Sequence, residues 1–388
     1  MAQVVSFGVA ALYSGMCCLR WARAGGWEGS WAQLGLFSGM VCVGSVVGAV
    51  AWGSKLQANA YFFKRHAPGV YPRQINTLLA SAFRFGAAFV ILYGFEFLCL
   101  IICKLMLLGR LAANARESSQ AEVTEMSGVR RRWLSARALP NVYRMMAGAV
   151  VVASVVGMVA AIVSGAYYVQ QAGLNDEAAA ACDAAGNNTH SSLALANAAN
   201  VMNTKANTAG SVQSSSEALT LLLVSLAFLV IVSWSVVLFR ILQRVAARLL
   251  VSGNDGRSIQ PSDANAARIV ADTMQAAAEQ RRRLTAACVI VLITFPARAA
   301  FDLLQTYAKF NDEISIACGP CDACQSTPYI IRSWLNYTPE FLPIVVAVSS
   351  PLPLTLSLWL LTKGHARARL IAVDVQRARA GDRVKLLG

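Results

Sequence analysis

Seven apolar runs, most of them near the roughly 20 residues that a helix needs to cross a bilayer, divide this chain, and no other feature constrains its fold as tightly. They fall at about 4–19, 31–53, 78–108, 146–169, 219–239, 284–304 and 340–361. Backbone surrounded by lipid must satisfy its own polar groups, and an apolar run of this length does so as a helix. The expected fold is therefore all-α: a polytopic transmembrane helix bundle of about seven spans. Composition agrees, with 56% hydrophobic and only 14% charged residues, where soluble domains carry about a quarter charged. Ala22-Arg23-Ala24, at the end of the short first run, resembles a leader cleavage site. No basic residue precedes that run, and the expectation is that it is kept as a span.

The basic residues set the orientation. A formal charge of +14 on a soluble chain would suggest nucleic acid, but here the Lys and Arg lie mostly between apolar runs, so no nucleic-acid partner is expected. The connection 109–143 carries six basic residues, including Arg130, Arg131 and Arg132. The connection 240–283 carries eight, ending Arg281, Arg282, Arg283, and the tail 363–388 carries seven. These three segments are expected in the cytosol, and 172–216 and 306–339, which hold few cations, on the exterior or lumenal side. Counting back places the N-terminus outside and the C-terminus inside. The connection 54–77, with Lys55, Lys64, Arg65 and Arg73, runs against that pattern, so spans one and two are the least constrained. Two N-glycosylation triplets, at Asn187 and Asn336, fall on the exterior segments. The stretch around Asn187 is rich in Ala, Asn and Ser and reads either as a surface helix over 176–202 or as a flexible loop.

Ionisable residues within the runs are costly and therefore informative. Arg298 and Asp302, four apart, share a helix face and can pair, with Pro296 bending the helix one turn earlier. Glu340 opens the seventh run, so a three-way cluster of Arg298, Asp302 and Glu340 is expected near the outer surface, holding the bundle together or serving as a latch or ligand contact. Glu96, in the middle of the third run, is the most deeply placed acid. It reads as a buried carboxyl needing a partner or as a point on a cation or proton path. Arg84 lies twelve residues away, too far to pair with it.

Of ten cysteines, six sit in apolar runs, where a thiol behaves as a small hydrophobe. The other four, Cys182, Cys318, Cys321 and Cys324, fall on exterior segments. Cys318-Gly319-Pro320-Cys321 has the thioredoxin spacing without its strand-to-helix context. Zinc binding by three thiols is a further reading, and disulfides among the four are favoured. No phosphate loop, zinc-protease helix, nucleophile elbow or catalytic triad is present, and no histidine lies inside a run, so neither enzymatic activity nor a cofactor or metal is expected.

Arg240, Arg244 and Arg248, spaced four apart, form a basic stripe leaving the fifth run, suited to anionic headgroups of the cytosolic leaflet or to a cytosolic partner. With Leu238-Phe239-Arg240-Ile241-Leu242-Gln243-Arg244, the Arg298 to Asp302 interval and Glu340-Phe341-Leu342-Pro343, it resembles the plant tobamovirus-multiplication membrane proteins and the lysosomal orphan receptor-like seven-span proteins. The resemblance covers about a third of the chain. It implies a non-enzymatic receptor-like or scaffolding protein of an endomembrane (vacuolar or lysosomal), recruiting small GTPases through its cytosolic face; the plasma membrane is the other location expected. Two further functions follow from the residues themselves: an accessory subunit of a larger organellar membrane complex, and a transporter or channel using Glu96.

Overall fold

A computed structural model describes residues 2–23, 30–65, 69–125, 138–184, 189–252 and 292–308, with isolated positions at 282, 286, 289, 290 and 356. The described residues are all-helical. The helices are α1 (Ala2–Arg23), α2 (Ser30–Lys64), α3 (Pro72–Glu125), α4 (Ala138–Ala184), α5 (Thr189–Ser252) and α6 (292–308). Four helical stretches are long and apolar enough to cross a membrane: Gly35–Lys64, Arg73–Met106, Tyr143–Cys182 and Leu193–Val230. The first expected span is a shorter apolar helix, Val4–Arg20, and residues 292–304 of the sixth lie on α6. The seventh falls outside the described residues, apart from Leu356.

Local chemistry fixes the turn from α2 to α3. The Arg65 N–H donates to the Tyr61 carbonyl at 3.3 Å to close the last turn of α2, and Gly69, at φ 86°, takes the left-handed conformation that other residues avoid. Pro72 then opens α3, where its missing N–H costs nothing. The Gln74 side chain reaches back to accept from the Tyr71 N–H at 3.4 Å, the reciprocal half of a capping box.

By its packing the chain divides into two units. One comprises Met1–Leu107, Arg144–Ser225 and Thr294–Leu352; the other comprises Leu108–Tyr143, Leu226–Ile293 and Pro353–Gly388. In the second unit Gly109 lies under the Tyr143 ring, so close that an added methyl would sit 2.7 Å from its hydroxyl. In the first, successive helices pack antiparallel. The Cys42 thiol of α2 meets the Ala11 carbonyl of α1 at 3.4 Å, and Cys18 of α1 meets the Gly35 carbonyl at 3.7 Å. Trp52 of α2 abuts Phe89 of α3 edge-on, and Phe83 of α3 stacks on Tyr168 of α4. Ser164 of α4 donates to the Ala206 carbonyl of α5 at 2.9 Å.

Small residues allow this approach, because lipid supplies no hydrophobic drive between helices and contact depends on close fit. A methyl on Gly165 would lie 2.7 Å from Ile91, and one on Gly94 would lie 3.0 Å from Ala161. Helix α3 is the hub of this unit. It touches α2 and α4 as above, α5 where Gly94 faces Gln213, and α6 through Lys104 on Phe295.

Helices α4 and α5, of 47 and 64 residues, would run about 70 and 96 Å at 1.5 Å per residue, well beyond a bilayer. The connection 172–216, read from sequence as an exterior segment with a surface helix or a loop, is helical at all its described residues, 172–184 and 189–216. Its alanines explain the packing: Ala172, Ala178, Ala179, Ala199 and Ala206 are all buried, as small side chains permit when two helices lie close. Likewise α3 continues to Glu125 and α5 to Ser252, so the connections 109–143 and 240–283 begin as helix. The stripe Arg240, Arg244, Arg248 lies along α5.

Candidate functional site: a buried charge network on three helices

Helix α3 brings the first two charges inward. Phe97, Leu100, Ile101, Lys104 and Leu108 are all buried, and their spacing of three and four makes one stripe of the helix. Lys104 occupies one position of that otherwise apolar stripe, and Glu96, two turns earlier, is buried beside it. A helical side chain leans toward the N-terminus of its helix, so the Lys104 ammonium points back toward Glu96. It lies 4.0 Å from the Phe295 ring centroid and 6.0 Å from that of Phe97, and within electrostatic reach of Glu96, Asp302 and Glu217.

Helix α5 adds Glu217, whose Oε1 accepts from Gln213 Nε2 at 2.9 Å one turn earlier. Helix α6 adds Arg298 and Asp302. The Arg298 Nε lies 3.2 Å from Asp302 Oδ1 and 3.3 Å from Oδ2, and its guanidinium sits 5.3 Å from the Tyr93 ring and 5.5 Å from Phe301. Thr306 donates to the Asp302 carbonyl at 2.9 Å, and its oxygen lies 3.3 Å from Ser215 Oγ of α5. That register brings Glu217 to the level of Asp302. The five ionisable side chains belong to residues that are almost wholly removed from solvent: Glu96 2% exposed, Lys104 1%, Glu217 3%, Arg298 3% and Asp302 1%.

Their depth follows from the lipid-facing residues. Gly157 of α4 faces Ser216 of α5, which sets Glu217 level with the exposed row Val151, Val152, Val155, Val156 and Val159. Exposed valines in such a row suit hydrocarbon. The eight residues from Glu96 to Lys104 rise about 12 Å, a large part of the roughly 30 Å that an apolar belt covers.

Charge and hydrogen bonding are both unbalanced within this set. Among the described residues, three carboxyls and two cations make up this set. Among the described residues, Glu96 Oε2 and Arg298 Nη1 are fully buried without a hydrogen-bond partner. Burial of such atoms is costly, and the proton is the smallest species that alters both imbalances. No three His, Cys, Asp or Glu side chains among the described residues converge closely enough to hold a metal ion.

The other expected site residues are placed as follows. Glu96, Arg298 and Asp302 join the network, and Glu340 lies outside the described residues. Arg84 pairs with Asp176 of α4 at an exposed position. Of the four cysteines expected to form disulfides, Cys182 is a free, exposed thiol near the end of α4; Cys318, Cys321 and Cys324 lie outside the described residues. So do Asn187, Asn336, Arg130, Arg131, Arg132, Arg281 and Arg283, whereas Arg282 is described and exposed.

Sequence reasoning missed Lys104, Gln213 and Glu217. The available signals were Lys104 in an apolar stripe eight residues after Glu96, and the four-residue interval from Gln213 to Glu217. The chain matches no family model, no curated protein and no solved structure.

Proposed function

We propose that the protein is a proton-linked transporter or channel of an organellar or plasma membrane, built from seven helices with its N-terminus outside and its tail in the cytosol. One observation carries this reading. Five ionisable side chains from α3, α5 and α6 are buried together among helices whose exposed faces are apolar, and in a membrane such groups commonly mark ion pathways and proton relays. Glu96, whose Oε2 is buried without a hydrogen-bond partner, gives a proton a place to bind and leave. Lys104, within reach of all three acids, is the cation whose pairing shifts when one of them is protonated.

The test is proton flux into liposomes holding the purified full-length protein and a pH-sensitive dye, driven by a potassium diffusion potential. Wild-type protein is expected to acidify the lumen faster than empty liposomes, and Glu96→Gln or Glu217→Gln to abolish the difference. No flux above the lipid background, or full flux in both variants, would refute the proposal.

A receptor-like or scaffolding role is a second reading, supported by the basic stripe Arg240, Arg244, Arg248 along α5. It predicts that a small GTPase or a stoichiometric membrane subunit co-purifies in mild detergent and is lost when all three arginines become Glu.

A further inference from the structure

Above the network, one buried face of α5 is polar. Asn207, Gly210, Ser214 and Glu217 follow one another at intervals of three, four and three, and all four are buried, so they line a single side of the helix. Ser214 turns its hydrogen to the Gly210 carbonyl of its own helix at 3.0 Å, so what it presents sideways is oxygen. Across from this face, Tyr168 of α4 donates to Asn207 Oδ1 at 3.4 Å. The α4 stripe then continues upward through buried Gln171 and Asn175. Gln171 Oε1, like Glu96 Oε2 and Arg298 Nη1, is buried with no hydrogen-bond partner. Unpartnered polar atoms therefore stand at the upper end of this polar column and within the charge network at its foot.

Below Glu217 and Thr220 the character changes. Leu221 and Val224 of α5 and Val150 of α4 are buried, the buried hydroxyls of Ser154 and Ser225 are donated to the Val150 and Leu221 carbonyls of their own helices, and Phe295 of α6 closes against the Lys104 ammonium. Polar groups lead to the network from one side, and mostly apolar ones bound it on the other.

We infer that the column from Gln171 and Asn175 past Asn207 and Ser214 to Glu217 is a one-sided water and proton path. It joins the network to the membrane face on which α4 ends and α5 begins. This rests on the proton-pathway reading above. Water in the column would give Gln171 Oε1 and Glu96 Oε2 a donor and Arg298 Nη1 an acceptor. A proton would pass along it as hydronium and bind a carboxylate oxygen, with no other bond made or broken. The proton is favoured over a metal ion because Lys104 and Arg298 repel a fixed cation and no metal-binding group is formed among the described residues.

The test uses silver ion as a thiol probe small enough to travel with water, applied to liposomes that hold the full-length protein. Protection of each cysteine from later alkylation is read peptide by peptide in the mass spectrometer. Native Cys182, exposed near the end of α4, marks the open side, and native Cys103, buried, marks the inaccessible limit. Ser214→Cys, a near-isosteric change, and Asn207→Cys are expected to react from the Cys182 side within about tenfold of Cys182 itself. Val224→Cys is expected to react no faster than Cys103 from either side. Ser214→Cys and Asn207→Cys both reacting as slowly as Cys103, or Val224→Cys as fast as Cys182, would overturn the inference. The assay does not depend on flux, so an accessible column without proton movement would sink the transport proposal alone.

Discussion

Arg298 and Asp302 permit a quantitative test of how the network is held together. Their charged atoms are 3.2 Å apart with side chains 3% and 2% exposed. At an effective dielectric of about 20, that separation gives roughly 5 kcal/mol of attraction, set against several kcal/mol of desolvation for each ion. The pair as a whole should therefore contribute little to stability, whereas losing one member should be expensive. Asp302→Leu strands the Arg298 guanidinium and is expected to cost about 3–5 kcal/mol. Arg298→Met should cost less, roughly 2–3 kcal/mol by the same reasoning, because Asp302 keeps Lys104 within reach. The double variant should recover to within about 1–2 kcal/mol of the parent, since it buries no uncompensated charge from this pair. The assay is reversible unfolding of the purified protein by titrating sodium dodecyl sulfate into mixed micelles. Single costs below about 1 kcal/mol, or a double cost equal to their sum, would show that the two residues do not act as a buried pair.

Three further predictions concern the packing that holds the network in place. Gly165→Val drives methyls into Ile91, where even one carbon would sit 2.7 Å away; it should destabilise by about 1–3 kcal/mol, partly recovered by Ile91→Ala, and equal midpoints for all three proteins would deny the contact. Arg84→Ala removes an ion pair whose side chains are 58% and 38% exposed, so its effect on the unfolding midpoint should stay within about 1 kcal/mol. Ser164→Ala deletes the bond to the Ala206 carbonyl and should cost about 0.6 kcal/mol, the usual worth of such bonds between membrane helices. A change above about 2 kcal/mol in either of the last two would mean that the side chain carries more than its visible partner.

Much of the helical architecture was legible because hydrophobicity in lipid depends on run length. The apolar runs at 31–53, 78–108 and 146–169 each fall within a helix able to cross a membrane. The outward extension of α4 and α5 was only half legible. Its alanines, asparagines and serines form a helix without raising hydropathy, and their burial comes from close approach of two backbones rather than from oily side chains. Half of the site was hidden for a different reason. Reading spans from hydropathy ends each one near its first charge, so a buried charge close to the end of a run is taken for the membrane boundary. Glu217 lies between the exterior segment and the fifth run, two residues before the run begins, and Lys104 lies four residues from the end of the third. Glu96 escaped this because apolar residues flank it on both sides. Arg298 and Asp302 escaped it because they are spaced to pair. What separates a boundary charge from an interior one is its partner on another helix, and partnership between helices is a property of packing that one run read alone does not contain. The residues that complete this site, Lys104 against Phe295 and Glu217 beside Gln213, become interpretable only once α3, α5 and α6 are set side by side.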